Sequence, residues 1–188
     1  MKNINLDAVQ EAQEFERLGP GGYICDIVRA EDVPEKEYLR IEFDIADGPF
    51  KNYFRGMRER LALDSWPAAG VLYRSYKESA LPFFKQFVTC VQVSNAGYVF
   101  KNDEATLARK LFGVVMGEEE YEKNDGTIGT RLKAATVRSV KAIREGDFKV
   151  PAIKKLKTAP AAYADAYRAQ PAGSSDYAVI DDGEDLPF

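Results

Sequence analysis

The residues of this chain that could carry chemistry fall into four groups, and histidine, absent from all 188 positions, belongs to none of them. The first group interleaves cations with aromatic rings. Lys51, Tyr53 and Arg55 alternate, Trp66 follows, and Tyr73-Arg74-Ser75-Tyr76-Lys77 mixes the two types again. Positive side chains can track a phosphate backbone while flat rings stack on bases, each stacked base contributing roughly 1–3 kcal/mol with little sequence preference. The second group is basic: residues 131–157 hold nine Lys or Arg (Arg131, Lys133, Arg138, Lys141, Arg144, Lys149, Lys154, Lys155, Lys157) against two acids, Glu145 and Asp147. Arg131, Lys133 and Arg138 share one strand-like segment, and every phosphate they neutralised would release counterions and make binding salt-dependent. Lys154-Lys155-Leu156-Lys157 is a weaker signal, equally suited to holding the following chain down.

The third group is Glu118-Glu119-Glu120 with Glu122. Paired carboxylates can hold Mg²⁺ for phosphoryl chemistry. Consecutive glutamates on a strand point to alternate faces, however, and these run into a turn, so a solvated hairpin tip is the favoured reading. The missing histidine removes the commonest general base and metal ligand. No G-x-x-x-x-G-K-[ST] loop is present, and Gly19-Pro20-Gly21-Gly22 lacks both the spacing and the lysine. Nucleophile elbow, Cys/His zinc pattern and internal repeat are absent too. The sequence predicts no catalytic residue, no metal site and no cofactor.

The fourth group ends the chain: Asp181, Asp182, Glu184 and Asp185 precede Leu186, Pro187 and Phe188. A terminal ring can fill a pocket while the carboxylates meet basic side chains, a compact recognition peptide. This end resembles that of bacterial single-stranded DNA-binding proteins, where consecutive aspartates precede Ile-Pro-Phe. Here Gly183 interrupts the acids and Leu186 stands where Ile is usual. The resemblance covers eight residues and implies docking to replication or recombination proteins.

Charge follows the same division. The net charge of −4 conceals five acids and no Lys or Arg in residues 169–188; with these set aside, residues 1–168 carry +1. A basic body with an acidic appendage suits a nucleic-acid binder. Cys25 and Cys90 lie far apart without metal-ligand spacing and read as small buried side chains in a reducing compartment. No run of 18 apolar residues exists and Met1-Lys2-Asn3-Ile4 lacks a signal-peptide core, so no membrane contact and a cytoplasmic location are expected.

These groups need elements to position them, and a chain 45% hydrophobic and 12% aromatic can build a core. A helix is predicted over 3–18, stopped by Gly19–Gly22. Strands are predicted over Tyr23–Arg29 and Tyr38–Ala46, the latter with Leu39, Ile41, Phe43 and Ile45 on one face. A third strand over Phe50–Arg58 would put Lys51, Tyr53 and Arg55 on a common face. The best helix is 79–94, with Leu81, Phe84, Val88 and Val91 at helical spacing, and a short turn follows at Asp103–Ala108. Strands over Lys110–Tyr121 and Thr130–Val140 flank Lys123-Asn124-Asp125-Gly126, a hairpin signal.

Three strands, a helix and two strands is the order of the OB-fold, a five-stranded Greek-key barrel that binds single strands. Other small barrels and α+β sandwiches share parts of it. The expectation is a mainly β, OB-fold-like barrel with the helix between strands 3 and 4 and a disordered C-terminal tail. Its divisions are an N-terminal extension at 1–20, the barrel at 21–150, a basic segment and flexible linker at 151–175, and the acidic tail at 176–188. Residues 158–175, rich in Ala, Pro and small polar side chains, bury too little to offset ordering entropy.

Tyr76-Lys77-Glu78-Ser79-Ala80-Leu81, Gly117-Glu118-Glu119-Glu120-Tyr121 and Gly146-Asp147-Phe148-Lys149-Val150-Pro151 resemble a family of proteins from phages and prophages of Gram-positive bacteria, over residues 15–157. The resemblance implies a phage-encoded replication or recombination protein in a bacterial host and identifies no DNA-contacting residue. The sequence thus points to a non-catalytic protein that coats single-stranded DNA and recruits partners through its tail, with homo-oligomerisation left open. The alternatives are a regulatory protein that binds no DNA and, last, a carboxylate-dependent nuclease.

Overall fold

A computed structural model describes residues 16–156 of the protein. Most of the helix predicted over 3–18, all of the 158–175 linker, Lys157 and the 181–188 tail lie outside them. The described residues form one five-stranded antiparallel sheet with three α-helices, mainly β as expected. The strands are β1 (Gly21–Val33), β2 (Tyr38–Ile45), β3 (Val71–Ser75), β4 (Leu111–Glu122) and β5 (Ile128–Arg138), in the spatial order β3-β2-β1-β4-β5. The helices are α1 (Tyr53–Arg60), α2 (Leu81–Ser94) and α3 (Val140–Glu145). This is the connectivity of an OB-like sheet, with α2 between β3 and β4. The barrel is not closed, because β3 and β5 form no ladder with each other.

Alternation builds the inner face. In β2, Leu39, Ile41, Phe43 and Ile45 are all buried, as their spacing of two demands. Bulges at Ile27/Arg29 in β1 and at Val115/Met116 on the β4–β5 ladder bend the sheet and raise its twist. A line of edge-to-face rings runs through the core: Phe54 meets Phe43 at 5.6 Å, Phe43 meets Phe112 at 5.8 Å, and Phe112 meets Phe87 of α2 at 5.7 Å. Such pairs contribute about 0.5–1.5 kcal/mol each beyond their burial.

The predicted third strand at Phe50–Arg58 is instead helix α1, and the reason is a residue from the preceding strand. Asp44 is fully buried at the end of β2. Its Oδ1 accepts the N–H of Ile45 and of Phe54, both at 2.9 Å, and its Oδ2 accepts the N–H of Arg55 at 3.1 Å. A carboxylate at a helix start satisfies the orphan amides and complements the positive end of the dipole. The true third strand is Val71–Ser75, inside the cation–aromatic stretch.

In α2 the buried side chains are Phe87 and Val91, with Phe84 and Val88 half-buried, whereas Leu81 is exposed. Helix α3 was not predicted, although both its stops are legible. Ser139 Oγ accepts the N–H of Ala142 at 3.1 Å, and Gly146 ends the helix at φ 70°.

Beyond α3 the chain returns across the sheet. Phe148 packs so closely on Gly22, and Pro151 on Gly117, that a Cβ on either glycine would collide with the ring. Lys154 then pairs in parallel with Glu119 of β4, its N–H donating to Glu118 O and its carbonyl accepting from Glu120 N, both at 2.9 Å. The 147–156 strap therefore belongs to the folded body.

Candidate nucleic-acid interface

The open seam between β3 and β5 forms a groove of about 510 Å³. The Ala68–Gly70 turn packs against β5 at one end of the seam. The strands β3 and β5 form no ladder with each other, so each presents an unpaired edge, and strap residues Pro151, Ala152 and Lys154 join the lining. Tyr73, Arg74, Lys77, Phe83, Lys133 and Lys154 line the groove.

Alternation along β3 divides these residues. Leu72 and Arg74 fall on the inner face, Tyr73 on the outer one. Tyr73 is 47% exposed and makes an edge-to-face contact with Tyr38 of β2 at 5.2 Å. Arg40 sits opposite Tyr73 in the ladder. Phe83, in the first turn of α2, is 46% exposed on the far wall. Half-exposed rings beside cations are what base stacking against a backbone-tracking groove requires.

The electrostatics are asymmetric. Four cations (Arg74, Lys77, Lys133, Lys154) line the groove against two acids, Glu118 and Glu119. Glu119 is buried and bridges Arg131 at 2.7 Å and Lys133 at 3.4 Å. Burial pushes its carboxyl up, but the hydrogen bond from Arg131 and the charges of Lys133 and Arg131 outweigh this and hold it below its usual range. Arg131 also lies over the Tyr121 ring at 5.3 Å. Arg131 and Lys133 are thus already engaged on one side. Lys77, Lys154 and Arg74 form no ion pair among the described residues.

The other predicted contact residues lie elsewhere. Trp66 is a correction: it is 7% exposed, and its Nε1–H donates to Phe43 O at 3.1 Å, so no ring face is open to a base. Tyr53 is half-buried at the start of α1, packs on Phe50 and Phe54, and its hydroxyl accepts the Leu18 N–H at 3.2 Å. Lys51, Tyr53 and Arg55 do not share a strand face, because they flank or occupy helix α1. Lys51 and Arg55 act on one acid instead: burial and Asp44 push the Asp26 carboxyl up, and Arg55 and Lys51 partly offset this.

Tyr76 donates its hydroxyl to Asp32 at 2.9 Å and packs on Phe84. Arg138 lies at the far end of β5, its Nη1 donating to Thr136 Oγ1 at 3.2 Å and Val137 O at 3.0 Å. The structure thus brings together Tyr73, Arg74, Lys77 and Lys133 of the predicted set, with Arg131 beside them.

Comparison with family models and with curated proteins finds no match to the chain.

Tyr38 and Phe83 were missed by the sequence reading, and Lys154 was ranked low. Each left a trace: Tyr38 opens the polar face of an alternating strand, and Phe83 falls off the apolar stripe of its helix. Of the glutamate cluster, Glu119 is paired as above and Glu120 Oε2 accepts the Leu156 N–H at 3.1 Å. No three His, Cys, Asp or Glu side chains come together as a metal-holding group among the described residues. No helix among them is long and apolar enough to cross a membrane.

Proposed function

We propose that this protein is a non-catalytic single-stranded DNA-binding protein of phage DNA replication or recombination, acting in the cytoplasm of a bacterial host. The observation that carries the reading is the seam groove, where exposed Tyr73 and Phe83 stand among Lys77, Lys133, Lys154 and Arg74. Bases stack on the rings while phosphates follow the cations, which favours any single strand over a specific sequence. The acidic end, Asp181 to Phe188, docks replication or recombination partners, its apolar tip filling a pocket and its acids meeting basic side chains. Membership of the phage family named above is part of the same proposal.

Titrating a labelled oligo-dT against salt tests it. Tight binding at low salt that weakens steeply as salt rises is expected, since every neutralised phosphate releases counterions. No binding at low salt overturns the reading and favours a regulatory protein that uses only its tail. Metal-dependent cleavage of the oligonucleotide returns the nuclease instead. Deleting Leu186–Phe188 is expected to spare DNA affinity and abolish partner binding; loss of DNA affinity would show that the tail is misassigned.

A further inference from the structure

Arg74 is an unusual arginine. It shares the inner face of β3 with Leu72, and it stands opposite Leu39 of β2, both leucines buried. Its Nη1 donates to the Tyr73 carbonyl at 3.1 Å, but its Nε is buried without a hydrogen-bond partner. Burial lowers its pKa to about 10, with the Cys90 thiol of α2 acting in the opposite direction. Taking a guanidinium out of water without a carboxylate is costly, and folded chains usually avoid it.

A second arginine converges on the same place. Arg138 also acts on Cys90: burial pushes that half-buried thiol up, and Arg138 and Arg74 offset only part of this. Arg138 has no ion pair among the described residues, and Thr136, which accepts from its Nη1, lines the groove. Geometry puts the three groups at one end of the seam: α2 packs on both β3 and β5, and Cys90 lies one turn beyond the groove-lining Gln86. Val140, two residues after Arg138, donates its N–H at 3.0 Å to Ser94 Oγ, one turn past Cys90. Neither arginine is paired with an acid among the described residues.

We propose that Arg74 and Arg138 form an oxyanion subsite at the α2 end of the groove and that it holds one backbone phosphodiester of the bound strand. The inference rests on the DNA-binding reading above and deepens it. The planar fork of arginine presents paired N–H donors to phosphate oxygens, and the strongest such pairs form where water is excluded. Base stacking on Tyr73 then proceeds with the strand fixed at one point rather than sliding freely along the lysines.

Cys90 reports on this subsite without any variant. Cys25 is fully buried, so alkylation of the folded full-length chain with a maleimide reads Cys90. Saturating oligo-dT is expected to slow that reaction at least about tenfold. Arg74→Gln and Arg138→Gln are each expected to weaken oligo-dT binding about 10- to 100-fold, the loss of a charge-assisted hydrogen-bonded contact. The double Gln variant should flatten the salt dependence by about 0.7 in the log–log slope, the single-strand value for one phosphate, and each single variant should lose part of that. Arg74→Lys should keep the slope while losing part of the affinity.

An unchanged Cys90 rate with DNA, or a wild-type slope in an Arg138→Gln variant that melts normally, overturns the subsite. The groove itself still stands in that case if Tyr73→Ala loses affinity. If deleting residues 181–188 speeds Cys90 alkylation while DNA leaves it unchanged, the oxyanion is a tail carboxylate and the phosphodiester assignment falls. A full-length chain that binds no oligo-dT overturns both readings.

Discussion

The segments Lys51–Arg55 and Tyr73–Lys77 both alternate cations with tyrosines, yet the fold uses them in opposite ways. The first turns into helix α1 over the buried Asp44, its Tyr53 packed on Phe50 and Phe54 and its cations partly offsetting the Asp26 carboxyl. Arg144 nearby approaches Asp47 at 4.0 Å. The second lies on an unpaired strand edge, with Tyr73 exposed and neither Arg74 nor Lys77 paired with an acid among the described residues. Composition alone does not make a binding surface. What distinguishes the two is whether the rings are covered and whether the charges are already answered.

The comparison is broken most severely through Asp44. Its three backbone hydrogen bonds are charge-assisted, and contacts of this type contribute about 1.5–3 kcal/mol each when buried. Asp44→Ala is expected to destabilise the protein by about 3 kcal/mol or more, read as a lower midpoint in urea unfolding, without changing DNA affinity of the folded fraction. A variant of normal stability that no longer binds DNA would make the α1 end the binding surface.

Next in size is Tyr73→Ala. Removing one stacking ring is expected to cost about 1–3 kcal/mol of oligo-dT affinity. The double change Lys51→Gln with Arg55→Gln, which removes two cations from the α1 end, should cost less than about 0.5 kcal/mol at moderate salt. Anisotropy titrations of both variants decide the matter, and equal losses would erase the distinction between the two segments.

Much of this molecule can be read in its sequence, for identifiable reasons. The strand β2 shows its alternation over eight residues, and α2 shows its period over fourteen, long enough to outvote local noise. Lys123–Gly126 announces its hairpin. The misreading of α1 has a non-local cause, because the carboxylate that starts that helix is eight residues or more upstream and in another element. The strand β3 is only five residues long, too short for alternation to separate it from the loop before it. The groove is partly legible, since its lining residues Tyr73, Arg74 and Lys77 fall within one five-residue stretch that alternates cations with tyrosines. Its partners Lys133 on β5 and Lys154 on the strap lie 56 to 81 residues further along the chain, and only the sheet order β3-β2-β1-β4-β5 shows that they face β3 across a gap. Trp66 was misjudged because a tryptophan beside cations reads the same whether its face is open or sealed by Gly70 and Phe43.

The finest test concerns Glu119, the one groove-lining acid that answers charges among the described residues. It holds Arg131 and Lys133, so these two cations deliver less positive potential to the groove than their number suggests. Replacing it with Gln removes one negative charge while keeping a hydrogen-bonding side chain. Oligo-dT binding should then tighten by about 0.5–1 kcal/mol at low salt, and the gain should shrink as salt screens it. The same residue has a pH signature. Its folded carboxyl lies below the ordinary 4.5, so the ion pair stabilises the protein above that value and the stabilisation is lost as pH falls through the lower folded value. The stability gap between the parent protein and Glu119→Gln should therefore narrow below about pH 4.5. A gap that stays constant in acid, with unchanged DNA affinity, would mean that Glu119 contributes packing rather than charge and that Arg131 and Lys133 were free for DNA all along.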